Sequence, residues 1–141
     1  MCTKQIAPTK VIQMLKLTFC MYRLPHLTRE EFQNYWEHKH PLSASPNSAE
    51  LLGIRKYVQV FPISEEENKQ VKEIRNGAEE FDGVAEIWID DLENFTTKWK
   101  TGEGKKAFES FLEDEKNFVD WERSVCFFAE EKVVLGGVMR A

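Results

Sequence analysis

The densest group of chemically capable side chains in this 141-residue sequence is Tyr35-Trp36-Glu37-His38-Lys39-His40-Pro41-Leu42. A His-x-His pair suggests a metal position. Two residues along an α-helix, however, is a rotation of about 200°, so the two imidazoles diverge. No Cys, third His or clustered carboxylate completes a zinc-type set. His40 differs from His38. It falls one turn beyond Trp36 and two beyond Phe32, on the apolar stripe, whereas His38 sits between Glu37 and Lys39. An imidazole at the rim of a ring-lined cavity can gain or lose its proton near neutral pH, which makes His40 a candidate general acid or base. The competing reading is a helix-end histidine that bonds a backbone carbonyl and complements the helix dipole. The residues alone leave both open. His26, in the loop before the helix, reads as a surface residue.

Glu86 interrupts an apolar run, on the same side as Val84 and Trp88. A carboxylate placed there must be paired, hydrogen-bonded or protonated if it is buried. Beside a histidine it would complete an acid/base pair. Otherwise it faces solvent or a dimer interface. Tyr22 could donate a phenolic hydrogen bond to a carbonyl or enolate oxygen, or pack with a wet tip. The segment Asn117-Phe118-Val119-Asp120-Trp121 could close one end of a pocket or cap the core. No phosphate-cradling glycine loop, dinucleotide fingerprint or G-x-S-x-G elbow is present, so no cofactor is expected and no metal.

These residues depend on the elements that carry them. Leu15 to Tyr22 alternates with period two and reads as a strand. Thr28-Arg29-Glu30-Glu31 is a capping box that opens a helix carrying Phe32, Tyr35, Trp36 and His40, which Pro41 ends. Ser43 to Ser48 has loop composition. Ile54–Pro62 is a second strand, rich in β-branched and aromatic residues. The charged stretch 64–80 reads as an exposed insertion with one helical turn. Val84–Ile89 is a third strand. Asp90 or Asp91 caps a helix with Leu92, Phe95 and Trp99, interrupted at Gly102 and Gly104 and resumed through Ala107, Phe108, Phe111 and Leu112. Ser124–Val134 is a fourth strand. The order β-α-β-β-α-β predicts a ferredoxin-like α+β fold, with a four-stranded antiparallel sheet covered by helices on one face. The bare face still carries apolar residues, which predicts a homodimer. A leader (1–13), a single domain (14–135, with 63–80 as the insertion) and a short tail (136–141) complete the organisation.

Composition narrows the partners. Nineteen Lys and Arg against 24 Asp and Glu give a net charge of −5 and exclude a nucleic-acid-binding face of the usual basic kind. Lys98, Lys100, Lys105 and Lys106 form a small cluster that reads as a solvated helix face. No apolar run spans a membrane, and the first residues do not resemble a secretory signal. Cys2, Cys20 and Cys126 are scattered, which fits reduced thiols and a cytoplasmic location. Ten Phe, four Trp and three Tyr are more ring surface than a domain this size needs.

The run Tyr22-Arg23-Leu24-Pro25-His26-Leu27-Thr28-Arg29-Glu30-Glu31-Phe32, then Tyr35-Trp36 and His40-Pro41-Leu42, resembles the EthD-like proteins of the dimeric α/β-barrel superfamily. Their helix reads approximately L-[ST]-x-E-E-F-x-x-Y-W-x-x-x-H-x-P; here Pro41 comes one residue early. Gly83–Trp88 and Asn117–Asp120 are similar to the family's third strand and last-helix ending. The resemblance implies a ferredoxin-like fold forming a dimeric α/β barrel. It also implies a cofactor-free enzyme similar to small fungal tailoring proteins that dehydrate or decarboxylate aromatic polyketide intermediates. His40 would be the acid/base, with Glu86 and Tyr22 as further catalytic candidates. Trp36, Trp88, Phe118 and Asp120 would hold a small aromatic or polycyclic ketone. A cofactor-free monooxygenase, an isomerase or cyclase, and a non-catalytic binding dimer are the alternatives on the same fold.

Overall fold

The computed structural model describes residues 15–137. The expected leader, Cys2 and the end of the expected tail lie outside them. Period-two alternation in β1 (Leu15–Met21) sends Leu15, Leu17, Phe19 and Met21 to one face, and Lys16, Thr18 and Cys20 to the other. The same alternation in β3 (Gly83–Ile89) directs Ala85, Ile87 and Ile89 to the first face, and Val84, Glu86 and Trp88 to the second. With β2 (Ile54–Val60) and β4 (Val125–Glu130) these strands form an antiparallel sheet in the order β2-β3-β1-β4. This is the ferredoxin-like α+β arrangement, with an open sheet.

Helix α1 (Arg29–His38) starts at the capping box. The Thr28 hydroxyl accepts from the Glu31 N–H (3.0 Å), and the Glu31 carboxylate accepts from the Thr28 N–H (3.1 Å). The helix stops at His38, earlier than the stripe suggests, and His40–Leu42 forms one turn of 3-10 helix led by Pro41. His40 therefore leaves the α1 axis yet stays on its buried side. Segment 43–47 is a loop, and a short α2 (Ser48–Leu52) follows, ended by Gly53 in the left-handed region (φ 71°).

The charged stretch 64–80 holds three turns of helix, α3 (Glu65–Arg75), where one was expected. Its stability is local. Ser64 caps the first turn, three glutamates and Lys72/Arg75 complement the two ends of the dipole, and Asn76 closes it at φ 48°. None of its residues is buried. Asp91 caps α4 (Leu92–Lys100), extended Thr101 breaks the axis, and α5 (Gly102–Glu115) resumes it. The last strand ends at Glu130, and Val133 and Val134 beyond it are exposed.

Two apolar clusters lie between the helices and the covered sheet face. Met21, Phe32, Trp36, Ala85, Phe118 and Val119 form one; Leu52, Ile89, Phe95 and Ala107 form the other. Asp82, almost fully buried, pins α1 to β3. Its carboxylate accepts from the Arg23 N–H (2.7 Å), the Arg23 guanidinium (2.6 Å) and Arg29 Nε (3.0 Å). A buried carboxylate needs such complete pairing.

Candidate functional site

A cavity of about 670 Å³ opens between the covered sheet face and the helices. Its floor includes Leu17, Ala85 and Ile87, and its walls include Trp36, Phe111 and Phe118. Of its lining side chains, His40, Tyr57, Glu115 and Cys126 titrate, and the remainder are mostly apolar or aromatic. That combination of ring-lined walls and few polar groups suits a small flat ligand.

His40 comes from the 3-10 turn, and its ring packs against Phe111 and Phe118 (centroids 5.4 and 5.0 Å). Nδ1 lies 2.8 Å from Asp114 Oδ2, a residue in the last turn of α5. An ionised carboxylate can only accept, so Nδ1 carries the proton and Nε2 is left as the basic nitrogen. Asp114 is itself fixed, because the Tyr35 hydroxyl donates to Oδ1 (2.6 Å) and Asn117 Nδ2 donates to the same atom (3.3 Å). Burial holds the His40 pKa below the usual 6.5, and the pull of Asp114 does not fully restore it. Burial also opposes charge on Asp114. The hydrogen bonds from Tyr35 and His40 outweigh that penalty and keep the carboxyl below its ordinary value. Tyr35, Asp114 and His40 thus form a relay ending in a neutral imidazole.

A second polar group lies elsewhere in the wall. The Tyr57 oxygen accepts from Trp36 Nε1 (2.9 Å) and from Gln59 Nε2 (3.0 Å), so both lone pairs are used and its own hydrogen is available to donate. Burial, then the nearby charge of Glu115, raises its pKa. Glu115 accepts a long bond from Trp121 Nε1 (3.3 Å). Burial pushes its carboxyl up to about 7, with the neighbouring Asp114 charge adding to the effect. Among the described residues no Lys, Arg or His pairs with it.

The structure brings only part of the expected set together. His40, Trp36 and Phe118 line the cavity. Glu86 does not: it lies on the open sheet face, ion-paired with Lys16 at 3.0 Å. Trp88 shares that face, with the Lys16 and Lys56 ammoniums 5.0 and 4.9 Å from its ring centroid. Both belong to even positions of β3, whereas the cavity lies against the odd ones. Tyr22 is also away from the cavity. Its hydroxyl donates to the Glu79 carbonyl (3.0 Å), and the Arg123 guanidinium covers its ring at 4.4 Å. Asp120 serves the loop before β4: its N–H donates to the Tyr22 carbonyl and its own carbonyl accepts from Ser124. Among the described residues no three His, Cys, Asp or Glu side chains converge as a metal site. No described helix is long and apolar enough to cross a membrane.

Three site residues were not singled out from sequence, Tyr57, Asp114 and Glu115, and Tyr35 was read only as part of the α1 face. Of the three, only Glu115 leaves a sequence signal. It extends the α5 row Phe108, Phe111 and Leu112 at the i+7 position, so it is a carboxyl on an otherwise apolar stripe.

The EthD domain profile matches residues 24–122. No curated protein matches the chain. Among solved structures, the chain is similar to an EthD (ethyl tert-butyl ether D) family protein from Bacillus halodurans C-125. The two are 19% identical, with a TM-score of 0.56 and coverage of 84% of this chain and 99% of the other. A dimeric ferredoxin-like protein of unknown function from Bacteroides fragilis NCTC 9343 gives 13% identity and a TM-score of 0.53 over 84% of this chain and 96% of that one. HapK from Hahella chejuensis gives 9% identity and a TM-score of 0.54 over 90% of this chain and all of that one. At these identities the likeness concerns the fold.

Proposed function

Because this chain belongs to the EthD-domain family, we propose that it is a cofactor-independent lyase, eliminating water or carbon dioxide from an aromatic polyketide-type ketone by acid/base catalysis. The observation that carries this reading is the His40–Asp114 contact of 2.8 Å in the wall of a ring-lined cavity. A neutral imidazole with a fixed tautomer is a base suited to removing a proton α to a carbonyl. The Tyr57 hydroxyl is a donor suited to an enolate oxygen. Aromatisation supplies driving force, so positioning and proton transfer are what the protein must provide. The open sheet face, with Phe127 and Val125 roughly half exposed, supports a homodimer formed through it. Free Cys20 and Cys126 fit a reducing cytoplasm.

The test is turnover of a β-hydroxy ketone or β-keto acid of the anthracene or naphthalene series, followed by product absorbance under argon. His40→Ala, checked for native circular dichroism, is expected to lose about 10²–10⁴-fold in rate. Unchanged turnover in that variant would remove the reading, and strict dependence on oxygen would replace the lyase with an oxygenase.

A further inference from the structure

We infer that the cavity selects an uncharged β-hydroxy ketone fused to a flat aromatic frame, and that Glu115 is the acid which protonates its departing hydroxyl. This rests on the lyase reading and names its substrate class and second catalytic residue, the place for which Glu86 and Tyr22 lie too far outside the cavity.

Asp114 and Glu115 are consecutive in the last turn of α5, so their side chains diverge by about 100°. Asp114 turns to His40, outside the apolar row. Glu115 continues the row Phe108–Phe111–Leu112 and forms part of the same wall as His40 and Tyr57. The one hydrogen-bond partner of its carboxyl among the described residues is the Trp121 indole, a neutral donor. The charged or titratable groups that act on it are Asp114, Tyr57 and Cys126, none of them a cation, and His40 in the same wall is neutral at rest. A carboxyl so placed keeps its proton to near neutral pH. It is the cavity's carboxylic acid, as His40 is its base.

The same wall argues against an anionic substrate. Among the described residues no Lys or Arg lines the cavity. A β-keto acid would have to lose its hydration beside a second carboxyl, with no cation in compensation. A neutral β-hydroxy ketone meets no such penalty, and the rings around it suit its flat body.

The elimination balances as follows. His40 Nε2 takes the proton α to the carbonyl, and the electron pair forms an enolate that accepts a hydrogen bond from the Tyr57 hydroxyl. The enolate re-forms the carbonyl and expels the β-oxygen, whose C–O bond breaks as it takes the Glu115 proton and leaves as water. The enone then tautomerises to the phenol. The imidazolium of His40 and the carboxylate of Glu115 are reset by proton exchange with solvent.

The test uses the full chain with three probes. 3-Hydroxy-3,4-dihydroanthracen-1(2H)-one gives 1-anthrol by loss of water. Its 3-acetoxy analogue gives the same product by loss of acetate, which needs no proton. 3-(2-Naphthyl)-3-oxopropanoic acid is the β-keto acid. Wild type is expected to consume both anthracenones and to leave the keto acid at its spontaneous rate. Glu115→Gln is expected to lose about 100-fold or more on the hydroxy compound and less than about 3-fold on the acetoxy compound; His40→Ala should lose both. If Glu115→Gln handles both like wild type, or loses both equally, Glu115 is not the leaving-group acid and the inference falls while the His40 lyase survives. Preferred decarboxylation of the keto acid overturns the substrate class alone. If wild type consumes none of the three, the lyase reading itself fails and takes this inference with it.

Discussion

Asp114 Oδ2 lies 2.8 Å from His40 Nδ1, joining the last turn of α5 to the turn after α1 across 74 positions of sequence. The carboxylate selects the tautomer that leaves Nε2 basic, and it favours the imidazolium that forms when that nitrogen takes a proton. Asp114→Asn removes the second effect and part of the first. The expected loss in kcat/KM is about 10²–10⁴-fold. The His40 pKa should also fall further, because burial would act without the opposing anion. The acid limb of the pH–rate profile, where the base protonates, therefore moves to lower pH. A profile unchanged in height and position would separate this pair from the chemistry.

In the wild type the rate should be limited on both sides, by His40 at acid pH and by Glu115 at alkaline pH. His40 is a base only above its lowered pKa, which is under 6.5. Glu115 is an acid only below about 7. For the hydroxy ketone, kcat/KM is therefore expected to be bell-shaped, with its maximum below about pH 7. The acetoxy probe should lack the alkaline limb. Stopped-flow rates from pH 5 to 9 on both probes would show this, and an alkaline limb common to both would assign it to another group.

Glu115 also leaves a mark on stability that does not depend on turnover. A carboxyl raised from 4.5 to about 7 gives stability that is fully present below 4.5 and lost as pH rises through 7. The charged native form is then less stable by about 3 kcal/mol. Glu115→Gln keeps an acceptor for Trp121 and removes the charge. Its Tm is expected to exceed that of wild type by about 10 °C at pH 8 and to match it near pH 4. Equal Tm values at pH 8 would show that Glu115 is not strained by its burial.

Much of this arrangement was legible along the chain, because strands, caps and helix stripes are local. The Thr28/Glu31 box and the Phe32–Trp36–His40 spacing located α1 and the imidazole that follows it. What period two could not reveal is which face of β3 the helices cover. Ala85, Ile87 and Ile89 are apolar, but so are Val84 and Trp88, and Glu86 sits among the latter. That ambiguity left Glu86 open between a place beside His40 and one facing solvent or a partner, and it lies on the open face, paired with Lys16. The α3 helix was underestimated because it has caps and dipole-matched ends but no apolar face to read. Asp114 acts through a partner 74 residues away, which no local pattern records. Glu115, in contrast, does leave a local mark as a carboxyl completing the row Phe108, Phe111 and Leu112, one row position beyond where the reading of that helix stopped.

The open sheet face offers a separate measurement. Val125 on β4 is half exposed there and pairs in register with Cys20, beyond the cavity side of the sheet. Val125→Asp would place a charge on the contact proposed between two copies, where desolvation has no compensating cation on β4. Sedimentation velocity is expected to show a dimer for wild type and a monomer for the variant, with native circular dichroism in both. A wild-type monomer at micromolar concentration would remove the proposed barrel.

Gly83 connects packing to chemistry through Trp36. A Cβ at this position would lie 2.6 Å from Trp36 Cζ3, 3.0 Å from Cε3 and 3.3 Å from Phe32 Cε1. Both rings are almost fully buried, so neither can move into solvent. Gly83→Ala must displace the indole or the start of β3, at a cost of about 1–3 kcal/mol for overpacking a closed core. The displacement has a second consequence. Trp36 Nε1 donates to the Tyr57 oxygen at 2.9 Å, and that bond helps aim the phenol. A shifted indole loosens Tyr57 without touching His40, Asp114 or Glu115. The variant is therefore expected to show a lower Tm and a kcat reduced about 10-fold or more on both anthracenone probes, with the pH limbs where they are in wild type. A Tm loss with kcat intact would mean that Tyr57 is aimed by Gln59 alone, and Gln59→Ala would then carry the rate effect.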